Sequence, residues 1–343
     1  MQQNSKKSIL PICLLAVGML AVQPAVAGIF DKAPQPVMLD MQGNRTEEFK
    51  QLVGESGAFE KIAKLATADA PPVAIGKIRI QFATQTSAAN TKTSTTSSNW
   101  SSAYVDYKLL GVQPDAVQTM ADNFYADFAK LLAGRGFAVL PQDQLMANAE
   151  FASAVAQTKS PVSSEALRSK DAAVTAFARQ TAQFSGMFDG RLGYVALSKA
   201  LKNPLVLELD FTVDIADFKK GGYGGGGTIL SSASIESKPI LFVKSGFVRV
   251  YLGVDGMEGS RSVDFPFKEA AILGCEPFAK VEKKATTGTD TALMVLGALA
   301  GNASRTSSYE ITPVENFTEV AGKCLHPFAD VISTVLPRPK AAQ

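Results

Sequence analysis

Hydrophobic and polar positions alternate most regularly in two stretches of this chain. In Lys77-Ile78-Arg79-Ile80-Gln81-Phe82 every second residue is apolar, the period of a strand with one face buried. Leu205, Leu207, Leu209, Phe211, Val213 and Ile215 alternate with Val206, Glu208, Asp210, Thr212 and Asp214, and this is the strongest strand signal in the sequence. Its polar side carries three acids. They read as solvated carboxylates on the wet face of a half-buried strand, with a metal site as the competing reading. Tyr104 to Leu110, Phe137 to Leu140, Pro239 to Leu252 and Tyr309 to Val314 predict further strands.

Helical spacing governs the segments between them. Thr46 can cap a helix from Glu47 to Ala66. Pro114-Asp115 opens a second, in which Val117, Met120, Phe124, Phe128 and Leu131 form one stripe before Gly134 and Gly136 stop it. Residues 143–184 are Ala-rich and predict helix, with Ser163 or Ser164 capping Glu165 to Phe184. The last helix, Asn316 to Val335, sets Phe317, Val320, Cys324, Phe328, Val331 and Val335 on one face and should kink at Pro327. Strand, long loop, helix, strand as the opening module implies an α/β (α+β) fold, a mixed sheet with flanking helices. Thr84 to Ser102, rich in Ser, Thr and Asn around Trp100, reads as a mobile loop or exposed hairpin. Lys219 to Gly227 is a glycine-dense turn between two strands, and Leu293 to Ala300 a buried helical turn.

The N-terminus changes the setting. Lys6 and Lys7, the apolar run Ile9 to Val22 and Ala25-Val26-Ala27 form the three parts of a cleavable secretory signal over residues 1–27. An uncleaved anchor is the alternative, but the run is shorter than the ~20 apolar residues of a span and ends at Gln23-Pro24. Cys13 lies inside the apolar run, which argues against lipidation there. The expected organisation is a signal at 1–27, a helical lead-in at 28–72, an α/β domain at 73–337 with a Gly-rich hairpin near 219–238, and a tail at 338–343. Export implies a periplasmic protein.

Charge excludes one class of partner. The chain carries 34 basic and 32 acidic residues, and loss of Lys6 and Lys7 brings the two into balance. A neutral chain has no electrostatic footprint for nucleic acid. Outside the signal the cysteines are Cys275 and Cys324, for which an oxidising compartment favours a disulfide over two buried thiols.

No catalytic or cofactor set emerges. Gly222, Gly224 and Gly227 fit G-x-G-x-x-G after a strand, but the Ser/Thr-rich, β-branched stretch from Thr228 to Ser237 stands where a dinucleotide site needs a helix. His326, the only histidine, lacks companions for zinc or a hydrolase triad. The expectation is a protein that is not an enzyme and holds no cofactor.

The order of elements is similar to a known family. Ala74-Ile75-Gly76-Lys77-Ile78-Arg79-Ile80, the helix ending Leu131-Leu132-Ala133-Gly134-Arg135-Gly136-Phe137-Ala138-Val139-Leu140-Pro141, and Gln144-Leu145 resemble the opening βαβ of the curli-assembly outer-membrane proteins, the CsgG-like family. Leu205 to Ile215 running into Lys219 to Gly227 resembles in placement the glycine-bearing hairpin those proteins insert into the outer membrane, and coverage extends over about residues 74–335. The resemblance implies a ring-forming periplasmic α/β domain. On this reading Gly221, Gly222, Tyr223, Gly224 and Gly227 form a hairpin or interface element. The chain departs from the family in lacking an N-terminal lipidation cysteine. Residues 228–237 also supply poorly the ~9–11 alternating residues of a spanning strand, so the resemblance extends to the periplasmic domain without the pore.

Three functions remain open at this level. The first is a non-catalytic cell-envelope protein acting by protein association in export or assembly of surface material, with envelope protein partners, a homo-oligomer and outer-membrane association. The second is a soluble periplasmic or secreted ligand-binding or adhesion module using Trp100 as a loop contact. The third is an envelope hydrolase with a carboxylate pair.

Overall fold

A computed structural model describes residues 36–39, 43–54, 57–65, 71–94, 99–166, 171–184, 190–202, 204–223, 232–253, 260–285 and 303–336. All of them belong to one compact unit, Pro34–Gln343. The signal region, Gly224, Gly227, the apolar run 293–300 and the tail lie outside the described residues.

The elements are β1 (Val37–Met38), α1 (Arg45–Val53), α2 (Ala58–Leu65), β2 (Val73–Thr93), β3 (Trp100–Leu109), α3 (Pro114–Gly134), α4 (Gln142–Met146), α5 (Ala149–Gln157), β4 (Val162–Glu165) and β5 (Ala172–Phe177). They continue with α6 (Arg191–Ala200), β6 (Leu205–Tyr223), β7 (Ser232–Gly253), β8 (Ser260–Pro266), β9 (Ala271–Ile272), β10 (Phe278–Lys283), β11 (Ala303–Pro313) and α7 (Phe317–Ser333). The fold is mixed α/β: eleven strands form one large curled sheet, flanked by seven helices among the described residues. The strand order is β1-β9-β7-β6-β2-β3-β11-β10, with β5 and then β4 added at β2, and β8 at β7.

One face of the sheet carries the main core. Ile75, Ile78, Ile80 and Phe82 of β2 and Leu207, Leu209, Phe211 and Val213 of β6 are buried in one cluster with Phe124 and Phe128 of α3 and Phe328 and Val331 of α7. Phe211 meets the rings of Phe124 at 5.1 Å and Phe328 at 5.0 Å, so the two helices clamp the centre of the sheet. The α3 stripe ends on buried Leu132, with Leu131 only partly covered. Pro327 sits buried within α7.

The lead-in contributes to this core. Its helix is two, α1 and α2, interrupted at Gly54, whose φ of 72° suits glycine. Asn44, not Thr46, caps α1 by accepting the Glu47 N–H. Phe49, Leu52 and Ile62 are fully buried, and β1 pairs in parallel with β9.

Two expectations are corrected, and of the two readings given for Thr84 to Ser102 the hairpin is the one observed. Residues 162–177 are not helical: β4 and β5 form an antiparallel pair, and β5 docks on β2 through Arg79↔Phe177 to Gln85↔Ala172. An open edge of β2 supplies backbone partners there, and this outweighs the modest helical preference of an Ala-rich segment. Phe137 to Leu140 forms only an isolated bridge, Val73↔Val139, because the backbone of β2 just beyond it is taken by the Ala178 and Ala182 N–H groups, which donate to the Ile78 and Gly76 carbonyls, and then by β5. The stretch Thr84 to Ser102 is an ordered hairpin where described: β2 continues to Thr93 and pairs with β3 from Gln85↔Lys108 to Thr93↔Trp100.

Candidate functional site

The second face of the sheet is built of charges. Gly76 starts it, at a bulge where the β2–β6 register moves from Ile75↔Leu207 to Lys77↔Glu208. An extra residue reverses the direction in which the following side chains point, so Ile75 faces the main core and Lys77 the opposite side. Only glycine suits the place: a Cβ on Gly76 would lie 2.8 Å from a Val206 methyl and 3.1 Å from the Tyr194 ring.

From that bulge an alternating row crosses four strands in register, Lys77↔Glu208↔Arg249↔Asp264. Lys77 Nζ donates to Glu208 Oε1 at 2.9 Å and to Asp210 Oδ2 at 3.1 Å. Arg249 Nη1 donates to Glu208 Oε2 at 2.9 Å and its Nε to Asp264 Oδ1 at 2.6 Å. Arg79 Nη1 reaches Asp210 Oδ2 at 3.0 Å, and Arg191 of α6 closes on Asp264 at 3.3 Å. Glu208 is 2% exposed and receives a third donor, the Tyr251 hydroxyl, at 2.5 Å.

The three acids are therefore not solvated, correcting the sequence expectation. Glu208 and Asp214 are buried and Asp210 largely so, each engaged by a cation from a neighbouring strand. A carboxylate already held by ammonium or guanidinium groups is a poor metal ligand, and no metal-binding group of three or more His, Cys, Asp or Glu occurs among the described residues.

A small apolar layer closes one end of the row. Tyr194 of α6 stacks on Tyr251 with ring centroids 5.0 Å apart and donates to the Ala182 carbonyl at 2.6 Å. Ala74, Val206, Leu145 and Phe151 complete this cluster. Burial first, and the Glu208 charge second, push both tyrosine hydroxyls up from their ordinary value. The unfolded chain releases these protons near pH ~10 while the folded one keeps them. Stability contributed by the pair is thus full below about pH 10 and falls as pH rises above it. Melting temperatures measured from pH 8 to 11 should drop beyond pH ~10, and less steeply in Tyr194→Phe, since phenylalanine has no proton to lose. Equal slopes would contradict the assignment.

The residues singled out from sequence fall elsewhere. Cys275, in the β9–β10 connection, and Cys324 of α7 form a disulfide with Cα atoms 5.8 Å apart. Gly221, Gly222 and Tyr223 are the last residues of β6. Trp100 opens β3 and is 38% exposed. His326 Nδ1 lies 3.6 Å from Asp127 Oδ2 on the α3–α7 surface, distant in the fold from the charged row. The row joins none of these residues. The alternation of Lys77/Arg79, Glu208/Asp210 and Arg249/Tyr251 with apolar residues was its only signal in the sequence, and Asp264 had none.

The distal half of the sheet holds two long hairpins together. β2 leaves β6 after Phe82↔Val213 and continues with β3, while β6 and β7 remain paired out to Tyr223↔Ser232. The two hairpins are then joined face to face. Asn90 Nδ2 donates to the carbonyls of Gly221 at 2.6 Å and Ser234 at 2.9 Å, and the Ala233 N–H donates to Ser101 Oγ at 3.1 Å. Nearer the base, the Tyr107 ring lies 4.8 Å from Tyr309 and 5.9 Å from Phe218, with its hydroxyl 2.9 Å from Ser237 Oγ.

The geometry defines a mixed α/β scaffold with a helix-clamped core, a paired ionic row and a double hairpin. No family model, no curated protein and no solved structure matches the chain. No helix among the described residues is long and apolar enough to cross a membrane.

Proposed function

We propose that this is a non-catalytic cell-envelope protein that acts by protein association in the export or assembly of surface material, in the manner of the CsgG-like proteins it resembles. The observation that carries the reading is the double hairpin, β2–β3 and β6–β7, extending from one helix-covered sheet and joined by Asn90, Ser101 and Tyr107. A preformed extension of this length presents backbone and side chains for contact. Its polar dress supports a periplasmic element that stops short of a pore. Lys219, Lys220, Glu236 and Lys238 are exposed on β6 and β7, where lipid would demand apolar side chains.

The ionic row supports the same reading. Its charges neutralise one another, which suits a rigid platform better than a general acid or base tuned for turnover. The signal over residues 1–27 and the Cys275–Cys324 disulfide support an oxidising compartment outside the cytoplasm.

The test is expression of the full chain in a Gram-negative host, followed by membrane fractionation and light scattering on the purified protein. The expected result is a species several times the monomer mass, or recovery with the outer membrane, and loss of either when residues 219–238 are replaced by a short Gly-Ser turn. A strictly monomeric protein in the soluble periplasmic fraction would end the assembly reading.

A further inference from the structure

Where β6 parts from β2, the polar face of the sheet opens into a cavity of about 260 Å³. Gln81 and Thr86 of β2, Thr212 and Asp214 of β6, Lys244 of β7 and, from the β4–β5 edge, the acids Glu165 and Asp171 line it. The Asp214 side chain is only 3% exposed. Its Oδ1 accepts the Ile215 N–H at 2.8 Å, and its Oδ2 accepts the Thr86 hydroxyl at 3.3 Å and Lys244 Nζ at 2.7 Å. The two partners of this ion pair differ sharply, because the Lys244 side chain is 55% exposed.

That asymmetry separates this pair from the row beside it. Lys77 and Arg249 are buried with their acids and cannot leave without stranding a charge, whereas Lys244 reaches in from solvent on a flexible stem. An ion pair with one partner in water is weakly held, so another cation of the same shape can replace it. The cavity is smaller than the ~300–1,000 Å³ of sites for drug-sized molecules, so it suits a head group of a few atoms. Its amide and hydroxyl oxygens offer acceptors for the three N–H donors of an ammonium ion.

We propose that this cavity is a binding site for a primary alkylammonium group, which enters by displacing the Lys244 ammonium from Asp214. Lys244 is then an internal occupant that keeps the buried carboxylate neutralised when no ligand is present. The ligand chemistry is that of a free aliphatic amine or of a lysine side chain on a peptide. This assignment goes beyond the association role proposed above and is independent of it.

The competition has a two-sided consequence. Removing Lys244 removes the competitor, so Lys244→Gln should bind n-butylammonium at least tenfold more tightly than the unmodified protein, as read by NMR titration at fixed ionic strength. Asp214→Asn should lose binding at least tenfold in either background, and n-butanol, of the same length without the charge, should not bind. Lys244→Ala provides a second measurement, since n-butylammonium should raise its melting temperature more than that of the unmodified protein. If that variant is unfolded alone, the amine should restore its fold. Comparing 1,5-diaminopentane with N-acetyl-lysine methylamide then decides between a free amine and a peptide side chain. Equal affinity of the Lys244→Gln variant and the unmodified protein, or no thermal response of Lys244→Ala to the amine, would overturn the assignment.

Discussion

Replacing Glu208 with glutamine should lower the unfolding free energy by about 3–5 kcal/mol, the usual cost of removing one partner from a buried ion pair. The carboxylate is 2% exposed and takes three donors, from Lys77, Arg249 and Tyr251. The amide keeps the shape and one oxygen but removes the charge. Lys77 is then left with Asp210 alone and Arg249 with Asp264 alone, inside a sheet where water cannot compensate them. Urea unfolding of Glu208→Gln against the unmodified protein measures the effect. Glu319→Gln is the contrast: that carboxylate pairs with Lys323 in solvent, both side chains more than half exposed, and its loss should leave the urea midpoint essentially unchanged. Similar small values for both variants would mean that the row is not desolvated. Replacing Lys77, Glu208 and Arg249 together by methionine, leucine and methionine should recover most of the loss, because the cost lies in the orphaned charges.

Loss of the Cys275–Cys324 disulfide should cost about 4 kcal/mol in the chain-entropy picture. The bond closes a loop of 49 residues, and restricting a loop of that length in the unfolded chain is the source of the figure. It also ties the β9–β10 connection to α7, the helix that covers Phe211 through Phe328. The double variant Cys275→Ser, Cys324→Ser should therefore melt well below the unmodified protein. Dithiothreitol should destabilise the unmodified protein to a similar extent and leave the double variant unchanged. A reductant effect of equal size on both proteins would show that the bond is not its cause.

Much of the frame was legible in the chain because burial leaves a local period. The alternation from Lys77 to Phe82 and from Leu205 to Ile215 marked the two central strands, and the stripes of α3 and α7 marked the helices that cover them. The distal parts of β2 and β7 were less legible. Thr84 to Thr93 and Ser232 to Ser237 carry Ser, Thr, Ala and Asn in place of alternating apolar residues, since each packs on another hairpin through small and polar groups. Residues 162–177 were misread as helix for a related reason: their strand character comes from the edge of β2, which no residue within that segment encodes.

The candidate sites were harder still. Lys77 and Glu208 stand 131 residues apart, and Asp214 and Lys244 belong to different strands of a bulged hairpin. Which charges meet depends on register, and register depends on the extra residue at Gly76 and on the shifts near Asp214.

By itself the sequence determined which side chains of each central strand and helix seek the core, because hydrophobic period is a local property. It also supplied the two cysteines that pair. The tertiary structure alone decided that the acids of β6 are buried and neutralised, that two hairpins are joined into one extension, and that a single carboxylate is answered by a lysine from solvent. Those outcomes are set by strands brought into register from distant parts of the chain, where one residue more or less reverses every side chain that follows.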